Sequence, residues 1–105
     1  MPIMVTFLAP GATREQYETV RRDIGWDNAP PVGALLHMAY FDDEGVHSVD
    51  LWDSPAALDA YLVNRFNPAA QRAGLPAAVL DPTDIQVVAA SPDLEAYFVG
   101  APAVA

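Results

Sequence analysis

The feature that most constrains this chain is a pair of β-prone runs between residues 34 and 53, which flank Asp42-Asp43-Glu44-Gly45. Acidic residues followed by glycine are typical of a tight hairpin turn. A two-residue turn at Asp43-Glu44 and a four-residue loop over 42–45 both give the same register. A three-residue loop would instead move one strand's side chains to the opposite face. The sequence therefore predicts an antiparallel hairpin whose register depends on loop length.

This register assigns the side chains of the hairpin to two faces, because neighbours along a strand alternate. One face carries the opposed pairs Phe41–Val46, Ala39–Ser48, His37–Asp50 and Leu35–Trp52. The other face carries Leu36, Met38, Tyr40, His47, Val49 and Leu51. Since the second face is the more apolar, we expect it to pack against helices. The His37 face would then lie on the uncovered side of the sheet.

The remaining segments predict two helices and two more strands. Residues 3–9 are almost uniformly apolar, as in a central strand. A capping box at Thr13 and Gln16 precedes a helix at about 14–24. Ser54-Pro55 begins a second helix. Its apolar stripe is Leu58, Tyr61, Leu62, Phe66 and Ala69, with a kink expected at Pro68.

Residues 84–90 predict the last strand, which completes the order β-α-β-β-α-β. This order predicts a ferredoxin-like α+β fold, an antiparallel sheet with two helices on one face. We expect one domain over residues 1–90. The apolar tail, residues 91–105, would pack on the sheet or on a partner subunit, because no other segment is available to cover the second face.

One pair of side chains in this pattern can support chemistry. A carboxylate opposite an imidazole fixes the tautomer of the ring and favours its role as a general base. His37 and Asp50 are therefore the candidate catalytic residues, although a structural cross-strand pair is equally compatible with the sequence. Ser48 could bind a substrate oxygen. Leu35, Phe41 and Trp52 could form the walls of a substrate pocket, with core or dimer packing as the alternative for Trp52.

Composition and missing motifs exclude several classes of function. The 105 residues include 14 acidic and 5 basic ones, for a net charge of −9, which disfavours nucleic acids and anionic membranes as partners. There are no cysteines. We find no secretory signal, no phosphate-binding or dinucleotide motif and no metal-ligand spacing. The expectation is a cytoplasmic protein without cofactor or metal.

The order of elements and the segment 37–54 resemble the dimeric α+β barrel superfamily, in particular small proteins related to antibiotic-biosynthesis monooxygenases. The likeness covers about residues 2–90, and its most specific part is the hairpin followed by Trp-Asp-Ser-Pro and the apolar stripe. The resemblance implies a homodimer with two sheets face to face. It also implies a pocket between sheet and helices or inside the barrel.

Three functions remain open at this level, since the superfamily is functionally broad. The first is a cofactor-independent acid/base enzyme of the cyclase, isomerase or lyase type, acting on a small apolar, aromatic or polyketide-like substrate. The second is a cofactor-free monooxygenase on a phenol or anthrone-like substrate. The third is a dimer that binds a small ligand or is purely structural. A haem-degrading function is disfavoured, because we find no axial histidine on a helix and no basic patch.

Overall fold

A four-stranded antiparallel sheet forms the framework of the computed structural model, which describes residues 1–99. The strand order is β2-β3-β1-β4. The strands are β1 (Ile3–Pro10), β2 (Ala34–Asp42), β3 (Gly45–Trp52) and β4 (Val79–Asp84). The helices are α1 (Arg14–Ile24), α2 (Pro55–Tyr61), a π-helical turn (Leu62–Phe66), α3 (Asn67–Ala73) and a 3₁₀ helix (Pro92–Tyr97). The ferredoxin-like α+β fold predicted from the sequence is confirmed.

The hairpin register is confirmed over most of its length. Asp42 lies opposite Gly45, and His37 lies opposite Asp50. The predicted pairing of Leu35 with Trp52 is wrong, because a bulge between Ala34 and Leu36 takes Leu35 out of the ladder. Ala34 lies opposite Trp52 instead, and Leu35 is 56% exposed.

The helix boundaries follow from local chemistry. The Thr13 hydroxyl accepts from the amide of Gln16, whose side chain returns a bond to the amide of Thr13. The expected kink at Pro68 is a π turn immediately before it. Proline lacks an N–H and its ring would clash with the carbonyl four residues earlier, so the wider turn lets the helical path continue to Ala73.

The last strand begins earlier than the sequence indicated. The predicted strand over 84–90 is wrong, since β4 is Val79–Asp84 and pairs antiparallel with β1. Pro82 lies within β4, where proline is tolerated because β4 is an edge strand. Val87 and Val88 lie beyond the ladder and are 83% and 58% exposed.

The assignment of the two sheet faces is also corrected. The helices cover the face of His37, Ser48 and Asp50, which is the reverse of the expectation. Two buried clusters lie on this side. One contains Ile3, Val5, Trp52 and Leu58, and the other contains Ala9, Ala12 and Val46.

The opposite side, which we call the open face, is largely apolar and is not covered by α1, α2 or α3. Its members on β1, β2 and β3 are Met4, Thr6, Leu8, Leu36, Met38, Tyr40, His47, Val49 and Leu51, and β4 adds Val79, Asp81 and Thr83 at its edge. Met38 and Tyr40 are 50% and 56% exposed. Tyr40, expected in the helix-side core, thus lies on the open face. The prediction that helices pack on this face because of its apolar content is therefore wrong, since α1, α2 and α3 pack on the face of His37.

The tail contributes a 3₁₀ helix, and its residues 100–105 lie outside the described part of the chain. Tyr97 and Val99 line a cleft beside α1 and β2. Within residues 1–99, no helix is long and apolar enough to cross a membrane. Packing of the tail against a partner subunit stays a prediction.

The turn geometry can be tested by a matched pair of glycine substitutions. Gly45 has φ +140°, and a Cβ there would lie 2.2 Å from the carbonyl oxygen of Ala9. Gly11 also has positive φ, but its Cβ would meet nothing within 4 Å. We expect Gly45→Ala to lower the free energy of unfolding by about 3 kcal/mol or more, and Gly11→Ala by about 1 kcal/mol. Urea denaturation measures both, and equal losses would contradict a clash at Gly45.

Candidate active site

The His37 ring is hydrogen bonded at both of its nitrogens. Nδ1 lies 2.6 Å from Oδ1 of Asp50 on the neighbouring strand. Nε2 lies 2.7 Å from the hydroxyl of Tyr17 on α1. The His37 and Asp50 side chains are only 16% and 18% exposed. The cross-strand pairing of His37 and Asp50 is therefore confirmed, and a third group, Tyr17, completes it from the helix.

The direction of these bonds follows from the donors available. A carboxylate only accepts, so the neutral ring carries its proton on Nδ1 and donates it to Asp50. Nε2 is then an acceptor, and the Tyr17 hydroxyl donates to it. This is the tautomer in which a base has its lone pair directed away from its orienting carboxylate.

Tyr17 is held in turn by Arg21, one helical turn further along α1. Arg21 donates to the Tyr17 oxygen at 3.2 Å and also pairs with Asp27 in the loop after α1. Burial raises the pKa of Tyr17, and the nearby Arg21 charge offsets this only in part. Tyr17 therefore stays a protonated donor near neutral pH, with a cation in place beside its oxygen.

The loop after α1 places an aromatic wall beside this chain of hydrogen bonds. The Trp26 ring lies 5.8 Å from the His37 ring, and the Arg21 guanidinium lies 5.4 Å above the indole. Arg65 from the π turn donates to the carbonyls of Ile24 and Ala29, at 2.6 and 2.9 Å. These two bonds fix both ends of the segment that carries Trp26.

Two voids meet at His37, Tyr17 and Arg21. The inner cavity, between sheet and helices, encloses about 60 Å³. Its apolar lining is Val5, Phe7, Val20, Ile24, Val46, Leu58, Leu62, Phe66, Leu75 and Leu80. The outer cleft is an open space of about 700 Å³ between α1, β2 and the tail. The imidazole therefore lies between a partly enclosed apolar cavity and an open cleft.

The size of the inner cavity limits what it holds as it stands. About 60 Å³ accommodates a few water molecules, whereas a cavity of about 150 Å³ is needed to hold benzene. A ring-sized ligand must therefore enter from the outer cleft and displace side chains, and Trp26 is the large group beside His37 on that route.

The other predicted site residues have different locations. Ser48 is buried and lines the inner cavity, and Phe41 lines the outer cleft. Trp52 was expected as a pocket wall, but it is 1% exposed and packs in the core with Ile3 and Leu58. Leu35 was expected there too, but the bulge turns it to solvent.

A second histidine lies on the open face and makes a comparable bond. His47 Nε2 lies 2.8 Å from Asp42, and its ring stacks on Tyr40 at 4.3 Å. Asp42, Glu44 and His47 have potential metal ligands within 4.8 Å of one another. Asp42 is already bonded both to His47 and to the amide of Glu44, which explains the group without an ion.

The residues that sequence reasoning missed are Tyr17 and Arg21, together with Trp26 as a neighbour of His37. Tyr17 and Arg21 are four apart on α1, so they lie on one helix face. That spacing was visible in the sequence. The spacing did not connect these two residues with His37, because the predicted fold put His37 on the face of the sheet that has no helices.

Solved structures with this fold include cofactor-independent oxygenases and related proteins. SnoaB, a cofactor-independent oxygenase from Streptomyces nogalater, aligns with a TM-score of 0.60 at 15% identity, covering 83% of this chain and 94% of that one. A candidate antibiotic biosynthesis monooxygenase from Caulobacter crescentus aligns with a TM-score of 0.60 at 23% identity, covering 82% and 90%. A dimeric ferredoxin-like protein of unknown function from Jannaschia aligns with a TM-score of 0.50 at 17% identity, covering 80% and 98%.

The chain matches no protein-family model and no curated protein sequence. The structural similarities have low sequence identity, so they establish the fold and not the activity. The resemblance inferred from the sequence is confirmed at this level: the chain has the ferredoxin-like fold of the antibiotic-biosynthesis-monooxygenase-like proteins.

Proposed function

We propose that this protein is a cofactor-independent acid/base enzyme that moves a proton on a small, flat, largely apolar substrate. The observation that carries the proposal is the His37 ring, bonded to Asp50 at one nitrogen and to Tyr17 at the other, between the inner cavity and the outer cleft. His37 is the base, Asp50 orients it, and Tyr17 is the acid.

The hydrogen bonds suggest how the two steps are linked. In the resting site the Tyr17 hydroxyl donates to Nε2. The single lone pair of Nε2 is occupied by that bond, so a bound substrate must first displace the Tyr17 hydroxyl from Nε2. Nε2 then takes a proton from an acidic C–H or O–H of the substrate. The displaced Tyr17 hydroxyl can then donate to the substrate oxygen on which negative charge develops, while Asp50 stabilises the imidazolium. Arg21 stabilises charge that reaches the Tyr17 oxygen.

The apolar lining favours this chemistry for a physical reason. Charges interact more strongly where water is scarce, so the Asp50–imidazolium attraction gains strength once a substrate fills the site. The same lining selects for aromatic or polyketide-like molecules, which bury rings against Phe7, Phe66 and their neighbours.

Substitutions at the pair test the proposal. We expect His37→Ala and Asp50→Asn each to lower the rate of deuterium incorporation from D₂O into an anthrone under nitrogen by about 10²–10⁴-fold. NMR measures the exchange. The matched control is the Asp23–Arg72 ion pair between α1 and α3, which lines neither void, so Asp23→Asn and Arg72→Ala should leave the rate unchanged. Full exchange by both site variants would refute the proposal.

A cofactor-free monooxygenase is the second candidate, and the structural similarity to SnoaB favours it. It would begin with the same deprotonation, after which the electron-rich anion reacts with dioxygen. We expect this reaction to consume oxygen and to yield a product that gains an oxygen atom only under air. Product mass under air and under nitrogen separates the two candidates, because the acid/base reaction gives the same product in both.

We also propose that two copies of the chain form a homodimer joined through the open faces of their sheets. The open face is largely apolar and is not covered by α1, α2 or α3, and a protein with the same fold is described as dimeric. Burying residues such as Met38 and Tyr40 would remove a large apolar surface from water.

A charge at the centre of the open face tests the dimer. Val49 lies opposite Met38 on one side and Thr6 on the other. We expect Val49→Glu to yield monomers in analytical ultracentrifugation, because unpaired carboxylates would be buried in the interface. Val32→Glu is the control, since Val32 is 92% exposed in a loop. If Val49→Glu sediments like the wild type, the interface lies elsewhere.

A further inference from the structure

Ser48 is the only buried polar residue in the described part of the chain, at 5% exposure. Its hydroxyl makes no hydrogen bond with any group of residues 1–99. The one polar side-chain atom of these residues that is both sealed from solvent and unpartnered is Trp52 Nε1. Since the Ser48 hydroxyl is not such an atom, it is not completely surrounded by protein atoms. Ser48 lines the inner cavity, which is the open space available to this hydroxyl. Buried hydroxyls normally have a partner.

Tyr61 brings a second hydroxyl to the same cavity from α2. Its ring is fixed by Trp52 and Phe66, at 5.0 and 6.0 Å between ring centres. Its hydroxyl likewise makes no hydrogen bond within residues 1–99. Burial raises the pKa of Tyr61, and the negative charge of Asp50 adds to this rise, so the hydroxyl stays neutral and able to donate.

We propose that Ser48 and Tyr61 form a subsite for a second oxygen of the substrate, a hydroxyl or carbonyl on the same flat ring system that His37 deprotonates. The rest of the inner cavity is apolar, so two free hydroxyls there are the groups that would recognise such an oxygen. This inference rests on the proposed function for the identity of the ligand, and it narrows the substrate to a molecule with at least two oxygen substituents.

The strand places Ser48 on the same face of the sheet as the His37–Asp50 pair. Ser48 and Asp50 are two positions apart on β3 and point to the same face, about 6.6 Å apart along the strand. His37 lies directly opposite Asp50. A group held by Ser48 would therefore lie on the same face of the sheet as the His37–Asp50 pair, close enough for one ring-sized ligand to contact both.

Ordered water is the alternative occupant, since about 60 Å³ accommodates a few molecules and water could bond both hydroxyls. The two explanations predict different binding affinities for a ligand with a second oxygen. If the hydroxyls serve only to hold water, a ligand's second oxygen adds no affinity through them. If they form a subsite, that affinity depends on both residues.

The experiment compares phenol with hydroquinone by titration calorimetry under nitrogen, so that no oxidation occurs. We expect wild-type protein to bind hydroquinone about threefold to tenfold more tightly than phenol, the range for one additional net hydrogen bond. Ser48→Ala and Tyr61→Phe should each abolish most of this preference, measured as the ratio of the two dissociation constants. Tyr40→Phe, on the open face, is the matched control and should keep the preference.

Two results would overturn the subsite: equal affinity for phenol and hydroquinone in wild-type protein, or a preference that survives both substitutions. Absence of binding by either ligand would also count against it. Because binding is measured without turnover, failure of the proposed function is distinguishable. In that case His37→Ala would keep full deuterium exchange, whatever hydroquinone does.

Discussion

The candidate site depends on the register of one hairpin, because that register decides whether His37 and Asp50 can meet. The two-residue turn at Asp43-Glu44 places His37 opposite Asp50, and Gly45 permits the close approach to β1 that the turn requires. A shift of one residue would send the two side chains to opposite faces of the sheet. The 2.6 Å hydrogen bond between Nδ1 of His37 and Oδ1 of Asp50 therefore depends on the length of this turn. Tyr17 and Arg21 extend this pair by further hydrogen bonds but do not bring His37 and Asp50 together.

Features encoded locally were predictable from the sequence, and features decided by tertiary packing were not. The capping box at Thr13 and the turn before Gly45 act within a few residues, so α1 and the hairpin were placed correctly. The bulge at Leu35 has no local signal of its own. The strand Val79–Asp84 contains a proline that only its position at the sheet edge makes acceptable.

The inverted faces show why the candidate site was only half predictable. Both faces of the hairpin need cover, and apolar content alone does not indicate whether a helix or a second subunit provides it. The prediction that the helices cover the more apolar face placed His37 on the side of the sheet away from α1. The Tyr17 hydroxyl, 2.7 Å from Nε2, therefore went unnoticed although its helix had been placed correctly. The same wrong assignment made Trp52 a candidate pocket wall, whereas its side chain is buried in the core beneath α2.

The correct assignment separates the site from the surface available for assembly. His37, Asp50, Tyr17 and Arg21 all come from one chain and lie between the sheet and its own helices, whereas the open face lies on the far side of the same sheet. A dimer through that face would contact none of the four. Its effect on the site would act through β2 and β3, whose backbone is shared by both faces. Association would then reduce the mobility of the strands that hold His37 opposite Asp50. A monomer would keep the complete site on a more mobile sheet.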